Sequence, residues 1–140
     1  MIVSHKIIKQ RIKAIWPKCR NIWLNDPEYD YPTLDEIKAV LELDNTDRLA
    51  AHGYRFDCDD FALQLCAAVS KYRGENAQGD GPAPWPFGQA KVRKYRGKKE
   101  YHCLNLCLLE TDIILIEPQD DNIWLASATN DDPFFIGMPF

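Results

Sequence analysis

The apolar residues of the first sixteen positions recur at helical spacing, and charged residues fill the positions between them. These apolar residues are Val3, Ile8, Ile12, Ile15 and Trp16. Pro17 follows directly and stops a helix, because proline lacks the backbone N–H and clashes with the preceding turn. The pattern predicts a basic amphipathic helix within residues 1–20.

Two more helical segments follow an extended stretch at 21–24. Thr33 and Glu36 have the spacing of a capping box, in which each side chain accepts a hydrogen bond from the other's backbone, so a helix is expected up to about residue 43. A short helical turn is expected at 47–51, ended by Gly53. The segment 58–73 is apolar on one face, and Asp57 is a suitable N-cap residue for it.

Beyond residue 73 the pattern changes from helical to alternating. The glycine- and proline-rich stretch 74–88 predicts a long surface loop. Alternation with a period of two then predicts an antiparallel meander with strands at 91–95, 101–109, 113–117 and 122–126. The tail 127–140 contains five large apolar residues and is expected to be partly packed.

Helices followed by strands predict an α+β fold in which the helix at 58–73 packs on an antiparallel sheet. The chain has 140 residues, of which 46% are apolar, and no internal linker, so a single domain over 1–140 is expected. No apolar run is long enough for a transmembrane helix.

Charge and cysteine content exclude some of the functional classes to which the protein could belong. The net charge of −4 argues against a dedicated nucleic-acid binder. Basic residues nevertheless cluster at 1–20 and 91–99, which indicates either solvated faces or a patch that contacts phosphate or an acidic partner. The N-terminus lacks the pattern of a secretory signal, and five cysteines without a CxxC pair favour free thiols, so a cytoplasmic protein is expected.

Three residues suggest nucleophilic chemistry. Cys58 opens a helix, where backbone N–H groups and the helix dipole lower a thiol pKa. His102 and Glu117 lie on consecutive predicted strands, and the hairpin between the strands brings them to the same end of the sheet. A thiol, an imidazole and a carboxylate in this order form the triad of a cysteine hydrolase. Asn105 is an alternative partner for His102. Asn25 or Trp23 is a candidate second oxyanion donor beside the Cys58 backbone N–H.

The motifs FDCDDFA (56–62), YHCLN (101–105) and IEPQ (116–119) resemble the papain-like C-terminal domain of the fairy-ring mushroom agglutinin. That family includes stand-alone bacterial and phage relatives, and the first motif is also similar to bacterial transglutaminase-like cysteine proteinases. The resemblance implies a papain-like fold, with Cys58 as nucleophile, His102 as base and Glu117 as the residue that orients it. The sugar-binding trefoil of the agglutinin has no counterpart here, so carbohydrate binding is not implied.

Residues with side-chain oxygen atoms follow both Cys58 and Glu117 closely in the sequence, and oxygen ligands suit Ca²⁺. They are Asp59, Asp60, Gln119, Asp120 and Asp121. The resemblance also implies calcium-dependent activity. A zinc site built from Cys58, His102, Cys103 and Cys107 is a weaker alternative, because adjacent residues of a strand point to opposite faces.

The main functional prediction is therefore a papain-like cysteine protease or amidase that cleaves a peptide or protein substrate through Cys58, His102 and Glu117. One alternative is a non-catalytic binding or phage accessory module on the same fold. There the basic patches and the tail FFIGMPF would dock a partner. The other alternative is acyl transfer to an amine, as in transglutaminases.

Overall fold

The computed structural model describes residues 1–49, 57–75 and 83–138. The strands are β1 (Ile2–Ser4), β2 (Asn21–Leu24), β3 (Glu28–Asp30), β4 (Phe87–Tyr95), β5 (Lys98–Leu108), β6 (Ile113–Ile116), β7 (Ile123–Leu125) and β8 (Pro133–Met138). The helices are α1 (His5–Ile15), α2 (Leu34–Leu43) and α3 (Cys58–Glu75), with single 3₁₀ turns at Thr46–Arg48 and Ala126–Ala128.

Six strands form the main sheet in the order β2-β8-β4-β5-β6-β7, and β1 pairs with β3 in a separate two-stranded ribbon. The α+β class is confirmed. The prediction of a purely antiparallel sheet is wrong, because β2 runs parallel to β8 while the other neighbours in the sheet are antiparallel. The four predicted meander strands are present as β4 to β7.

The two faces of this sheet carry different helices. On one face Leu104, Leu106 and Leu108 of β5 pack in a cluster with Ile8 and Ile12 of α1. On the other face Cys107 packs in a second cluster with side chains of α2 and α3. Because side chains alternate along a strand, even-numbered residues of this part of β5 face α1 and odd-numbered residues face α3.

The N-terminal helix is shorter than the 1–20 segment that the spacing predicts. Residues 2–4 form β1, and α1 covers only His5–Ile15. The amphipathic pattern itself is confirmed, since Ile8 and Ile12 are fully buried while Lys6 and Lys9 are exposed.

The capping box of α2 is present as predicted. Glu36 N–H donates to Thr33 Oγ1 at 3.1 Å, and Thr33 N–H donates to Glu36 Oε1 at 3.0 Å. The helical turn expected at 47–51 is a 3₁₀ turn at Thr46–Arg48, and the proposed stop at Gly53 lies outside the described residues.

The helix α3 extends to Glu75, two residues beyond the predicted end. The loop expected at 74–88 is therefore shorter at both ends, because β4 begins at Phe87, and its middle part, 76–82, lies outside the described residues. Among the helices that the structure describes, none combines the length and apolar character that crossing a membrane requires.

The C-terminal tail contains β8, which lies between β2 and β4 inside the sheet. Ile136 and Met138 are fully buried there. The tail is therefore not a free docking segment, because Ile136 and Met138 complete the core of their own chain, while Phe134 and Phe135 remain half-buried. The last two residues, 139–140, lie outside the described part.

Candidate functional site

Cys58 is the first residue of α3, as the sequence predicts. The start of this helix is stabilised by its own acidic residues: Asp57 N–H donates to Asp60 Oδ2 at 3.0 Å, and Phe61 N–H donates to the Asp57 carbonyl at 3.0 Å. The thiol is partly buried, so it is held in a defined place at the end of the sheet.

The thiol pKa contradicts the expectation of an activated nucleophile. Burial raises the pKa of Cys58, and the nearby Asp57 and Asp59 carboxylates raise it further, while a hydrogen bond from the Cys103 backbone N–H acts in the opposite direction. A helix N-terminus favours the thiolate, but desolvation and two like charges disfavour it. The net effect is a thiol that stays protonated at neutral pH.

His102 and Glu117 lie together, as the hairpin predicts. His102 Nε2 is 2.8 Å from Glu117 Oε1, and both side chains are nearly buried. Tyr95 OH donates to the same carboxylate oxygen at 3.4 Å, and the Tyr95 ring lies 4.3 Å from the imidazole. Tyr95 also packs against the cluster of buried residues that contains α1. His102 is therefore held on the face of the sheet that carries α1.

Cys58 belongs to the opposite face, because α3 packs on the odd-numbered side chains of β5. Asn105 shows this directly: its Nδ2 donates to the Ala62 carbonyl of α3 at 2.9 Å. Among the described residues, no hydrogen bond joins the Cys58 sulfur to the His102 ring. The structure brings the thiol and the imidazole to one cleft but does not connect them as a proton-transfer pair.

One other sequence-based assignment around this pair is wrong. Asn105 faces α3 and not His102, so it is not an alternative orienting residue. Trp23 lies on β2, which β8 and β4 separate from β5. The role of Trp23 or Asn25 as a second oxyanion donor stays a prediction.

A cleft of about 190 Å³ opens at the N-terminus of α3. Its lining residues are Cys58, Asp59, Lys91, Val92, Tyr101, His102, Cys103 and Phe134. Tyr101 is 76% exposed, and its ring meets that of Phe134 edge to face at 6.3 Å. The sequence reasoning missed Lys91, Tyr101 and Phe134. The motif YHCLN contains Tyr101, but the position of Phe134 depends on the pairing of β8.

A second group of polar residues holds the hairpin between β4 and β5 in place. Asp131, which is 5% exposed, accepts hydrogen bonds from the Arg96 backbone N–H at 2.7 Å and from Trp124 Nε1 at 3.1 Å. The Arg96 guanidinium lies 4.8 Å from the Trp124 ring centroid. The tip of the hairpin is therefore fixed relative to the body of the sheet.

The expected calcium ligands fall into two groups. The carboxylates of Asp57, Asp59 and Asp60 can place one oxygen each within 4.8 Å of one another. Hydrogen bonding to Asp59 and partial burial raise the pKa of Asp57 to about 6.

Asp121 interacts instead with Asp47, Asp44 and Asp120, and burial together with these charges raises its pKa to about 7. Asp121 does not belong to the aspartate group at the start of α3, and no hydrogen bond of Gln119 is found in the described ranges. Calcium binding through Asp59, Asp60, Gln119 and Asp121 stays a prediction.

The zinc alternative is not supported. Cys107 is fully buried between the sheet and the two helices α2 and α3, whereas Cys58 lines the open cleft. Within the described ranges, the only cluster of three or more metal-binding side chains is the aspartate group at the start of α3.

Comparison with known proteins identifies solved structures whose fold is similar to that of this chain. No family model and no curated protein matches the chain. Among solved structures, one described as a PSL1a–E64 complex matches with a TM-score of 0.81 and 22% identity over 98% of this chain. The lectin of Polyporus squamosus, bound to the epitope Neu5Acα2-6Galβ1-4GlcNAc, matches with a TM-score of 0.79 and 22% identity over 98% of this chain. The chain spans about half the length of these two, 51% and 49%.

These comparisons correct the functional prediction. The relation to a fungal agglutinin is confirmed at the level of the fold, but the papain-like and transglutaminase-like parts of the resemblance are not. One of these two similar structures is described as a lectin bound to a glycan epitope. This finding contradicts the assignment as a hydrolase or cysteine protease, and that assignment is not retained.

Proposed function

We propose that the chain is a non-catalytic binding module that holds a short segment of a partner protein in the cleft beside Cys58. Two findings support binding over catalysis. The Cys58 thiol is shifted toward its protonated form, and the chain shares its fold with binding proteins.

The exposed aromatic rim of the cleft is the observation that carries this proposal. Tyr101 leaves 76% of its surface in water although it lies against Phe134 and at the mouth of a cavity. Aromatic rings at such positions are typical of binding sites, because they offer a large apolar area with little loss of side-chain entropy on binding. A ligand side chain placed against the two rings removes this apolar surface from water.

The size and charge of the cleft favour a peptide segment. Pockets for drug-sized ligands measure about 300–1,000 Å³, so a cleft of about 190 Å³ accommodates one side chain. Lys91 and Asp59 flank it and supply one charge of each sign. The trisaccharide is a ligand of the Polyporus squamosus lectin, and because this chain covers only half of that protein, we assign a peptide rather than a glycan.

In this proposal His102 and Glu117 are positioning residues. Their hydrogen bond of 2.8 Å joins β5 to the segment that follows β6. It therefore fixes the part of β5 that carries Tyr101, next to the mouth of the cleft. Cys58 and Cys103 contribute wall surface.

Selection from a random twelve-residue peptide library on the immobilised chain tests the proposal. The affinity of the selected peptides is then measured by fluorescence anisotropy for the wild type and two variants. Tyr101→Ser removes the rim and is expected to weaken binding about tenfold or more, the usual effect of losing an aromatic anchor. Trp23→Ser, which removes an exposed aromatic on the far edge of the sheet, leaves the affinity unchanged. Equal loss in both variants, or no selected peptide, contradicts the proposal.

A further inference from the structure

The hairpin formed by β4 and β5 carries an exposed cationic surface next to the cleft. Its cations are Lys91, Arg93, Lys94, Arg96, Lys98 and Lys99, and all six are exposed. Among the described residues, none of them takes part in a salt bridge. This concentration is unusual in a chain whose net charge is −4. Within the part of the chain that the structure describes, the hairpin therefore presents positive charge that no salt bridge neutralises.

Three of these cations are held in place by aromatic rings. Lys91 lies 5.7 Å from the Phe135 centroid, Arg93 lies 4.6 Å from that of Phe134, and Arg96 lies 4.8 Å from that of Trp124. Cation–π contacts restrict the side chains but leave their charge available. Because Phe134 also lines the cleft, the cationic surface and the cleft form one continuous site.

The same hairpin offers backbone groups for pairing. The register of β5 with β6 covers only 105–108 on β5, so in the described structure the segment 98–101 has a partner strand on one side only, β4. All four residues of this segment are exposed. A free strand edge binds an extended peptide by adding a strand. Lysines on the edge repel a second copy of the same hairpin and favour a chain of opposite charge.

We infer that the partner segment is an extended acidic peptide, rich in Asp and Glu, that places one apolar side chain in the cleft. This inference rests on the proposed function. The free strand edge distinguishes this ligand from nucleic acids and glycans, which lack a peptide backbone. A long polyanion is also disfavoured, because acidic residues surround the site at Asp59 and Glu100. A short acidic segment meets the cations without approaching the rest of the acidic surface.

Fluorescence anisotropy with two labelled probe peptides tests this inference. The acidic probe is EEDEELEEDE, and the neutral probe has Gln and Asn at the charged positions. The acidic probe is expected to bind at least about tenfold more tightly at low salt. Its binding should weaken as the ionic strength rises from about 0.05 to 0.5 M, because the Debye length then falls from about 14 Å to about 4 Å.

Two matched triple variants test whether the affinity for the acidic probe depends on the hairpin charges or on the net charge of the protein. The triple variant Lys94→Gln, Lys98→Gln, Lys99→Gln removes three hairpin charges, and each exposed ion pair is worth up to about 1 kcal/mol, so the affinity should fall about tenfold or more. The control Lys6→Gln, Lys9→Gln, Lys18→Gln removes three exposed charges elsewhere and should change the affinity less than about twofold. Equal losses in the two triple variants, or equal binding of both probes, overturn the inference.

Failure of the inference is distinguishable from failure of the proposed function. If library peptides bind in a Tyr101-dependent way but carry no acidic residues, the site binds peptides and only the acidic ligand class is wrong. If no peptide binds, and the trisaccharide Neu5Acα2-6Galβ1-4GlcNAc or a heparin fragment binds instead, both are wrong.

Discussion

At Cys58, two opposing influences act on one thiol. The helix N-terminus and the Cys103 backbone N–H favour the thiolate, while burial and the carboxylates of Asp57 and Asp59 favour the thiol. The second set prevails and raises the thiol pKa. A cysteine at the first position of a helix is therefore insufficient to identify a nucleophile, because the side chains around it decide which charge state is stable.

The alkylation rate of Cys58 provides a test at the residue scale. With iodoacetamide at pH 7, Cys58 should react no faster than N-acetylcysteine, and its rate should rise about tenfold per pH unit toward pH 9 because only the thiolate reacts. His102→Ala should change the rate less than about twofold. Mass spectrometry of the digested protein measures the alkylation of each cysteine separately. Rapid labelling at pH 7 that disappears in His102→Ala contradicts this account.

Asp121 should make the free energy of unfolding depend on pH. Burial and the carboxylates of Asp47, Asp44 and Asp120 raise its pKa from 3.8 to about 7. Between these values the folded state binds more protons than the unfolded state, so stability falls as the pH rises from about 4 to 7. Asp121→Asn removes this loss and keeps a residue that tolerates the local φ of 61°.

We expect Asp121→Asn to exceed the wild type in stability by about 1–2 kcal/mol at pH 8, an amount that allows for partial exposure of the side chain. At pH 4 the two proteins should agree within about 0.5 kcal/mol. Urea denaturation at both pH values measures this, with Glu110→Gln as an exposed control. A pH-independent difference would show that packing, and not ionisation, distinguishes the variant.

At the scale of the elements, the close contact of β4 and β8 holds the sheet together. A Cβ atom added at Gly88 would lie 2.0 Å from the Gly137 carbonyl oxygen and 2.6 Å from Met138 Cγ. The backbone of the neighbouring strand cannot move away without breaking the pairing of β8. This position therefore requires glycine for space.

Gly88→Ala is expected to lower the free energy of unfolding by about 3 kcal/mol, within the upper range for overpacking. Gly74 is the matched control, because a Cβ added there meets no atom within 4 Å in the described structure. In the last turns of α3, Gly74→Ala should stabilise the protein by about 0.5–1 kcal/mol. Chemical denaturation with urea compares the two. Equal effects at both positions would refute the close contact between the strands.

Elements that depend on local signals were predictable from the sequence. The capping box at Thr33 and Glu36 and the helical spacing of Ile8 and Ile12 each involve neighbours within four residues. The strand β8 was not predictable, because its partners β2 and β4 are distant in the sequence and its own apolar run does not alternate. Pairing between the two ends of the chain leaves no signal in either segment alone.

The candidate site also combines local contacts, which the sequence predicts, with contacts between distant segments, which it does not predict. The contact of His102 with Glu117 follows from a local hairpin, and the sequence predicts it. The sequence cannot predict how α3 sits relative to His102; the structure brings Cys58 and His102 to one cleft, and no hydrogen bond joins them among the described residues. The rim formed by Tyr101 and Phe134 was missed because it brings β5 and β8 together.

At the scale of the whole molecule, the distribution of charge determines which partner can approach. The chain is acidic overall, with a net charge of −4, but the hairpin beside the cleft is basic. A fixed hairpin tip, bound through Asp131 to Arg96 and Trp124, keeps this charge in one place. This basic end of the sheet is where the proposed acidic segment would bind.

The fate of a bound peptide tests the central claim of non-catalytic binding most directly. A library-selected peptide is incubated with the wild type and with Cys58→Ala, and the mass of the peptide is followed by mass spectrometry over one day. The account predicts equal affinity for both proteins and an intact peptide throughout. Peptide fragments that appear with the wild type and not with Cys58→Ala would contradict it.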